Sequence, residues 1–227
     1  MEKLKKILKE GIADFVRILT KGFSDDDIRA LWCLDRDEIR LLSSSPEDYE
    51  IFKSIYCEFA SEPFWEKWTE ELFKEVFDNY TQNGRCFVCQ RSGAAKGLIA
   101  VTFGPKGDQP EELERDNIAW LSDIVVKREF RGQGIGTRLQ NFMMDYLRES
   151  CKPDMVYLRT NLKGSMSEGL ARKTGFEVIK DQSGEPITQD CFFERTRDNI
   201  PATDTRKFLA ISLKGNKEKC STKNIVK

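Results

Sequence analysis

The stretch IAWLSDIVVKREFRGQGIGTRLQNFMMDYL, positions 118–147, constrains the fold of this chain more than any other. Its first nine residues are almost continuously apolar, which predicts a central strand buried on both faces. Its last third spaces apolar residues as one face of a helix does. Between them Gly132, Gly134 and Gly136 alternate with Gln133 and Ile135. Glycine accepts backbone angles closed to other residues and lets a ligand approach the main chain. Consecutive N–H groups in such a turn, joined by the open first turn of the next helix, make a nest for anionic oxygens. Arg131 adds a charge-assisted contact. A phosphate or pyrophosphate is the expected ligand at 131–137, with a plain tight turn as the alternative on these residues alone.

Two common nucleotide motifs do not fit. A P-loop ends in Gly-Lys-Ser/Thr, whereas this turn runs Gly136-Thr137-Arg138. A dinucleotide fingerprint starting at Gly132 needs its third glycine at 137, which is Thr137.

The chain has no histidine, which removes the commonest neutral-pH base and metal ligand. Ser-His-Asp and Cys-His arrangements and the His-bearing zinc motifs are thereby excluded. Cys86 and Cys89 form a lone Cys-x-x-Cys without the second pair a zinc knuckle needs. Residues three apart on a strand point to opposite faces, so both read as buried strand cysteines and no metal is expected. With 37 basic against 38 acidic residues, no dominant nucleic-acid surface is expected. The locally basic LKGNKEKCSTKNIVK reads as a solvated tail. No apolar run is long enough to span a membrane, and MEKLKKILKEG is too charged for a signal peptide. A cytoplasmic setting, with the seven cysteines reduced, is the expectation.

Periodicity predicts amphipathic helices before residue 37, a short strand at DEIRLLS, and helices in SSPEDYEIFKSIYCEFA and EPFWEKWTEELFKEVFDNYTQNG. RCFVCQRSGAAKGLIAVTF reads as a hairpin turning at 92–95, and GPKGDQPEELERDN as a polar loop. After the glycine turn come a strand at DMVYLRT, a short helix ending at Gly175, and strands at FEVIKD and DCFFERT. Residues 1–37 form a helical extension, 38–198 the principal domain, and 199–227 a C-terminal extension in which RKFLAIS is apolar enough for a strand. The apolar faces of 1–37 need cover from the domain or from another subunit, such as the second copy of a homodimer.

VVKREFRGQGIGTRL resembles the acetyl-CoA-binding signature of the GNAT superfamily of N-acetyltransferases, Arg/Gln-x-x-Gly-x-Gly/Ala after a strand ending in Val. Arg131, Gly134 and Gly136 fill the signature, and Val126 precedes it; Arg128 stands where a proline is common. YLRTNLKGSMSEGLARKTGFEVI resembles the later strand, short helix and Gly-Phe turn of the same family, here Gly175-Phe176. The resemblance implies an α+β layered fold: a mixed, mostly antiparallel central sheet with helices on both faces and two central strands that splay apart. It implies acetyl-CoA as cosubstrate, with pantetheine in that gap along Ile124, Val125 and Val126. The N–H groups of Gln133, Gly134, Ile135, Gly136 and Thr137 would receive the pyrophosphate beside Arg131 and Gly132. An amine of a small molecule or a peptide would enter from the opposite side of the cleft.

Acetyl transfer to an amine needs the neutral amine, so a carboxylate that accepts its proton is a useful partner. Asp123 is the candidate, because a carboxylate in an apolar central strand is costly unless paired or functional. Solvent exposure at a sheet irregularity, pairing with an arginine such as Arg159, and substrate positioning are its alternatives. Glu114 and Asp116 on the preceding loop and Glu194 on the last strand are candidates to read a cationic substrate, with solvated acids as the simpler reading. The family often carries Tyr four residues before the Gly of Gly-Phe, where it protonates the leaving thiolate; here that position is Ala171. Gly164 takes the place of a usual Asn, which leaves Asn161 as the nearest amide for the cofactor, and Tyr157 reads as a packed aromatic. The expected activity is direct transfer of acetyl to a primary amine. A CoA-binding module of lost activity is the reading that Ala171 favours.

Overall fold

The computed structural model describes residues 37–61, 68–105, 109–162, 166–193 and 202–213. Two compact units divide the chain, one of residues 1–37 with 91–93 and one of the remainder. Within the smaller unit Arg91 Nε meets Asp37 Oδ1 at 3.2 Å. The helices read before residue 37, and the tail beyond 213, lie outside the described residues.

The larger unit begins with β1 (Glu38–Leu41) and α1 (Pro46–Ser61). Pro46 starts the helix, and Ser45 Oγ accepts the Asp48 N–H at 3.2 Å, an N-cap with proline at the first helical position. α2 (Glu70–Gln82) starts in the same way, with Thr69 Oγ1 accepting the Leu72 N–H at 3.3 Å. Phe52, Ile55 and Tyr56 on α1, and Phe73, Phe77 and Tyr80 on α2, recur at helical spacing and are buried.

β2 (Gly84–Arg91) and β3 (Ala94–Phe103) are joined at Ser92–Gly93, both at positive φ (49° and 80°), as a two-residue hairpin requires. β4 (Ile118–Val126) follows, then a turn, α3 (Ile135–Tyr146) with one π-helical turn to Cys151, and β5 (Met155–Asn161). α4 (Met166–Lys173), β6 (Glu177–Val178), β7 (Thr188–Phe193) and β8 (Ala202–Ser212) complete it.

The described strands form one eight-stranded sheet in the order β1-β2-β3-β4-β5-β8-β6, with β7 also on β8. β4 and β5 are parallel, whereas β1–β2, β3–β4, and the pairs of β8 with β5, β6 and β7 are antiparallel. α3 covers one face, with Ile135, Leu139, Met143 and Met144 on Ile99, Val101, Ala119 and Leu121. α1 and α2 cover the other, on Cys86, Val88, Leu98, Ala100 and Val125. The mixed, mostly antiparallel sheet with helices on both faces is the fold the resemblance implies.

β8 lies beyond residue 198, in the stretch the sequence places outside the principal domain. The sheet takes it in because the edge of β5 needs a partner for its N–H and C=O groups. β8 supplies one along its length, from Met155↔Ser212 to Asn161↔Arg206. Cys86 and Cys89 fall in different cores, on opposite faces of β2. Among the described residues no helix is long and apolar enough to cross a membrane.

Candidate active site

β4 changes character halfway along. Opposite β3, Val101 pairs with Leu121 and Ala100 with Asp123, so Ser122 is the extra residue of a β-bulge. Ala119 and Leu121, before the bulge, belong to the core under α3. Beyond it, Ile124 and Val126 pack toward that core while Val125 joins the core under α1 and α2. Alternation therefore puts Asp123 on the α1/α2 face, whereas an unbulged strand would have put it with Leu121 under α3.

There the half-buried Asp123 carboxylate meets two phenols. The hydroxyl of Tyr56 from α1 and that of Tyr80 from α2 both donate to Asp123 Oδ2. Tyr56 is 0% and Tyr80 6% exposed. Burial, and then the charge of Asp123, hold both phenols well above their ordinary pKa, so both remain protonated donors. Cys86 is also within electrostatic reach of Asp123, and burial pushes its thiol up strongly. Tyr56 and Tyr80 are functional candidates that sequence reasoning missed. Their only sequence signal is a pair of hydroxyls on apolar helix faces, each in need of a partner.

The bulge coincides with an opening in the sheet. Parallel pairing of β4 with β5 runs from Ile118↔Met155 to Trp120↔Tyr157. The β4–β5 register ends there, while β4 runs on to Val126 and β5 to Asn161, so the strands part at the level of the bulge. Ile124, Val125 and Val126, expected along pantetheine, line this diverging part of β4. β3 stays close on the other side of β4. A Cβ on Gly97 would lie 2.7 Å from the Val125 carbonyl oxygen and 3.2 Å from Val126 Cα.

The glycine turn closes directly beyond β4. Gly132 and Gly134 both hold φ of 77°, in the left-handed region. A Cβ on either would meet nothing within 4 Å, and both residues are exposed together with Gln133 and Thr137. Gly134 caps α3, whose first intrahelical bond in this turn is Arg138 N–H to Gly134 O at 3.0 Å. The N–H groups of Ile135, Gly136 and Thr137 precede that bond and point out of the helix start. The open start of α3 is positively polarised and presents N–H donors to which an anionic group such as a pyrophosphate could bind. Arg131 has a further role, since its Nε donates to Val126 O at 3.0 Å and closes the turn onto the strand end. Arg128 N–H donates to Glu58 Oε2 at 2.7 Å, which ties the turn to α1 across 70 residues of sequence.

The other candidates are placed differently. Asn161 ends β5 and donates from Nδ2 to Asp204 Oδ1 at 3.1 Å. Glu114 and Asp116 are exposed on the loop that leads into β4, at the end opposite the glycine turn. The nine residues of β4 separate the two ends by about 26 Å. Glu194 lies outside the described residues. Tyr157 is buried against Trp120, ring centroids 5.1 Å apart. Ala171 is 1% exposed, in the core under α3.

A sequence profile described as the Acetyltransferase (GNAT) family matches residues 49–176, from α1 through the Gly-Phe turn. No curated protein matches the sequence. Solved structures with a similar fold include a ribosomal-protein-alanine N-acetyltransferase from Brucella melitensis, with 19% identity, TM-score 0.54, and coverage of 77% of this chain and 99% of that one. An N-acetyltransferase from Staphylococcus aureus gives 12% identity, TM-score 0.56, and coverage of 78% and 98%. The NatC complex bound to Gag peptide and CoA gives 15% identity, TM-score 0.52, and coverage of 78% and 98%. At these identities the likeness is one of fold. The profile spans more than half of the chain and includes the splayed strand, the bulge and the glycine turn, and the chain belongs to the GNAT acetyltransferase family.

Proposed function

We propose that the protein is an acetyl-CoA-dependent N-acetyltransferase that acts by direct transfer on a primary amine of a small molecule or a peptide, in a reducing cytoplasmic setting. The observation that carries this reading is Asp123, turned by the bulge onto the α1/α2 face beside the divergence of β4 and β5. In this reading the exposed turn around Gly132 and Gly134 and the first N–H groups of α3 hold the pyrophosphate. The main chain of Ile124–Val126 aligns the pantetheine arm.

Acetyl-CoA supplies a thioester whose carbonyl carbon the amine attacks, forming the C–N bond and releasing sulfur as thiolate. Asp123 accepts one proton from the bound ammonium group, which frees the nitrogen lone pair. Holding the amine there in the correct orientation lowers the barrier further. A second proton leaves nitrogen after attack and neutralises the thiolate, so no covalent enzyme intermediate is needed. A CoA thiol with pKa of about 8.5, by comparison with cysteine, leaves without a dedicated phenol.

A second reading has one observation in its favour, the buried Ala171 where the family often has tyrosine. In that reading the chain is a CoA-binding regulatory module of little activity. The test is to incubate the protein with acetyl-CoA and polyamines, aminoglycosides, amino acids or N-terminal peptides and to follow free thiol. Amine-dependent thiol release supports transfer. CoA binding by calorimetry without release on any amine supports the second reading. Gly134→Trp fills the open turn, and CoA affinity unchanged by this substitution would refute the assigned cradle.

A further inference from the structure

The segment that leads from β4 into the glycine turn is held at nearly every residue. Lys127 N–H donates to Lys96 O of β3 at 2.9 Å. Residues 128–130 form one 3-10 turn, closed by Phe130 N–H on Lys127 O at 2.9 Å and by Arg131 N–H on Arg128 O at 3.2 Å. The Arg128 N–H lies ahead of both bonds, and Lys127 before it gives no side-chain cap. Its acceptor comes from outside the turn, as Glu58 Oε2 in the last turn of α1, at 2.7 Å. Lys96, 7% exposed, sets its ammonium group 5.2 Å from the centre of the Phe130 ring. Gly132 and Gly134, directly beyond, are exposed, and a Cβ on either would meet nothing within 4 Å. The open glycines therefore hang from a fixed stem, and the aim of their N–H groups depends on what fixes it.

At 2.7 Å the bond to Glu58 lies in the charge-assisted range, where a carboxylate acceptor binds about twice as strongly as a neutral one. Glu58 also follows Tyr56 by two residues, and the Tyr56 hydroxyl donates to Asp123. The end of α1 thus reaches both the stem of the glycine turn and the middle of β4. We propose that Glu58 is a positioning residue of the glycine turn, and that through it CoA affinity depends on α1, the helix that carries Tyr56 onto Asp123. The inference rests on the reading of the glycine turn as the seat of the CoA pyrophosphate. Coupling of this kind is reciprocal: a helix that helps to hold the cofactor's turn is itself held by the bound cofactor.

The test compares the full chain with Glu58→Ala, which removes the acceptor, and with Glu58→Gln, which keeps an oxygen and removes the charge. Calorimetry with CoA, and amide hydrogen exchange with and without CoA, read each protein. Glu58→Ala is expected to weaken CoA binding by about tenfold, and Glu58→Gln by about threefold or less. In the free protein, Glu58→Ala is expected to speed exchange at residues 128–134 while β3 and β5 keep their protection. Bound CoA is expected to slow exchange across residues 46–61 of the wild type and to lose that effect in Glu58→Ala, a response that a merely structural residue would not control. CoA affinity in Glu58→Ala equal to the wild type, or equal slowing of 46–61 in both, overturns the proposal. Faster exchange throughout the sheet marks general destabilisation and overturns the local assignment. If the wild type itself binds no CoA, the cofactor reading fails and exchange at 128–134 decides alone. Unchanged exchange there in Glu58→Ala overturns the tie to α1, and faster exchange leaves it standing.

Discussion

Gly97→Ala tests whether β3 approaches the functional half of β4 as closely as the structure shows. Its sign alone decides the question. Gly97 sits within β3 at φ outside the left-handed region, so alanine is allowed by the backbone. On chain entropy alone the substitution would stabilise by about 0.4–1 kcal/mol, because the unfolded chain loses freedom. The added Cβ, however, falls 2.7 Å from the Val125 carbonyl oxygen and 3.2 Å from Val126 Cα, and both are backbone atoms of the neighbouring strand. The strands must separate by several tenths of an ångström, an overpacking that costs about 1–3 kcal/mol. The net expectation is destabilisation of about 1–2 kcal/mol, or a fall in Tm of roughly 2–8 °C for a domain of this size. The strands part at Val126, where pantetheine is proposed to lie, so CoA affinity should weaken with stability. Calorimetry of unfolding and of CoA binding reads both. A Tm equal to or above that of the wild type, with CoA affinity intact, would refute the close approach and the alignment of β4 that depends on it.

Two further outcomes follow from the same geometry. Asp123→Asn keeps an oxygen for the two phenols and removes the base, so turnover should fall by about two orders of magnitude or more with CoA affinity retained; equal rates over the pH range would remove Asp123 from the chemistry. Burial pushes the Asp48 carboxyl up, but bonds from Arg40 at 2.7 Å and from the N–H and Oγ of Ser43, each at 2.7 Å, outweigh it and hold the group below its ordinary value. Its stabilisation is therefore complete above the unfolded value of about 3.9 and fades as the pH falls through the lower folded value. Asp48→Asn should cost about 1–2 kcal/mol at pH 7 by urea unfolding, with the gap to wild type closing below pH 4; a pH-independent gap would argue against this network.

The order of elements was legible because it depends on local rules. IAWLSDIVV forms the central strand Ile118–Val126 because a near-continuous apolar run can be satisfied only between two covered faces. Gly132 and Gly134 adopt left-handed angles because only glycine does so without strain. Cys86 and Cys89 separate into two cores because strand side chains alternate. The position of β8 between β5 and β6 was not legible, since pairing across about 30 or more residues has no local signature.

The sequence by itself determined the strand–turn–helix unit, the left-handed glycine turn and the presence of one carboxylate in an apolar strand. It could not determine which way that carboxylate points. Strict alternation would have buried Asp123 with Leu121 under α3, and only the extra residue Ser122 turns it toward Tyr56 and Tyr80. A bulge depends on the register between two strands, and the two tyrosines come from 67 and 43 residues away. Local propensity dictates the elements, but the meeting of one carboxylate with two distant hydroxyls is set by how those elements pack.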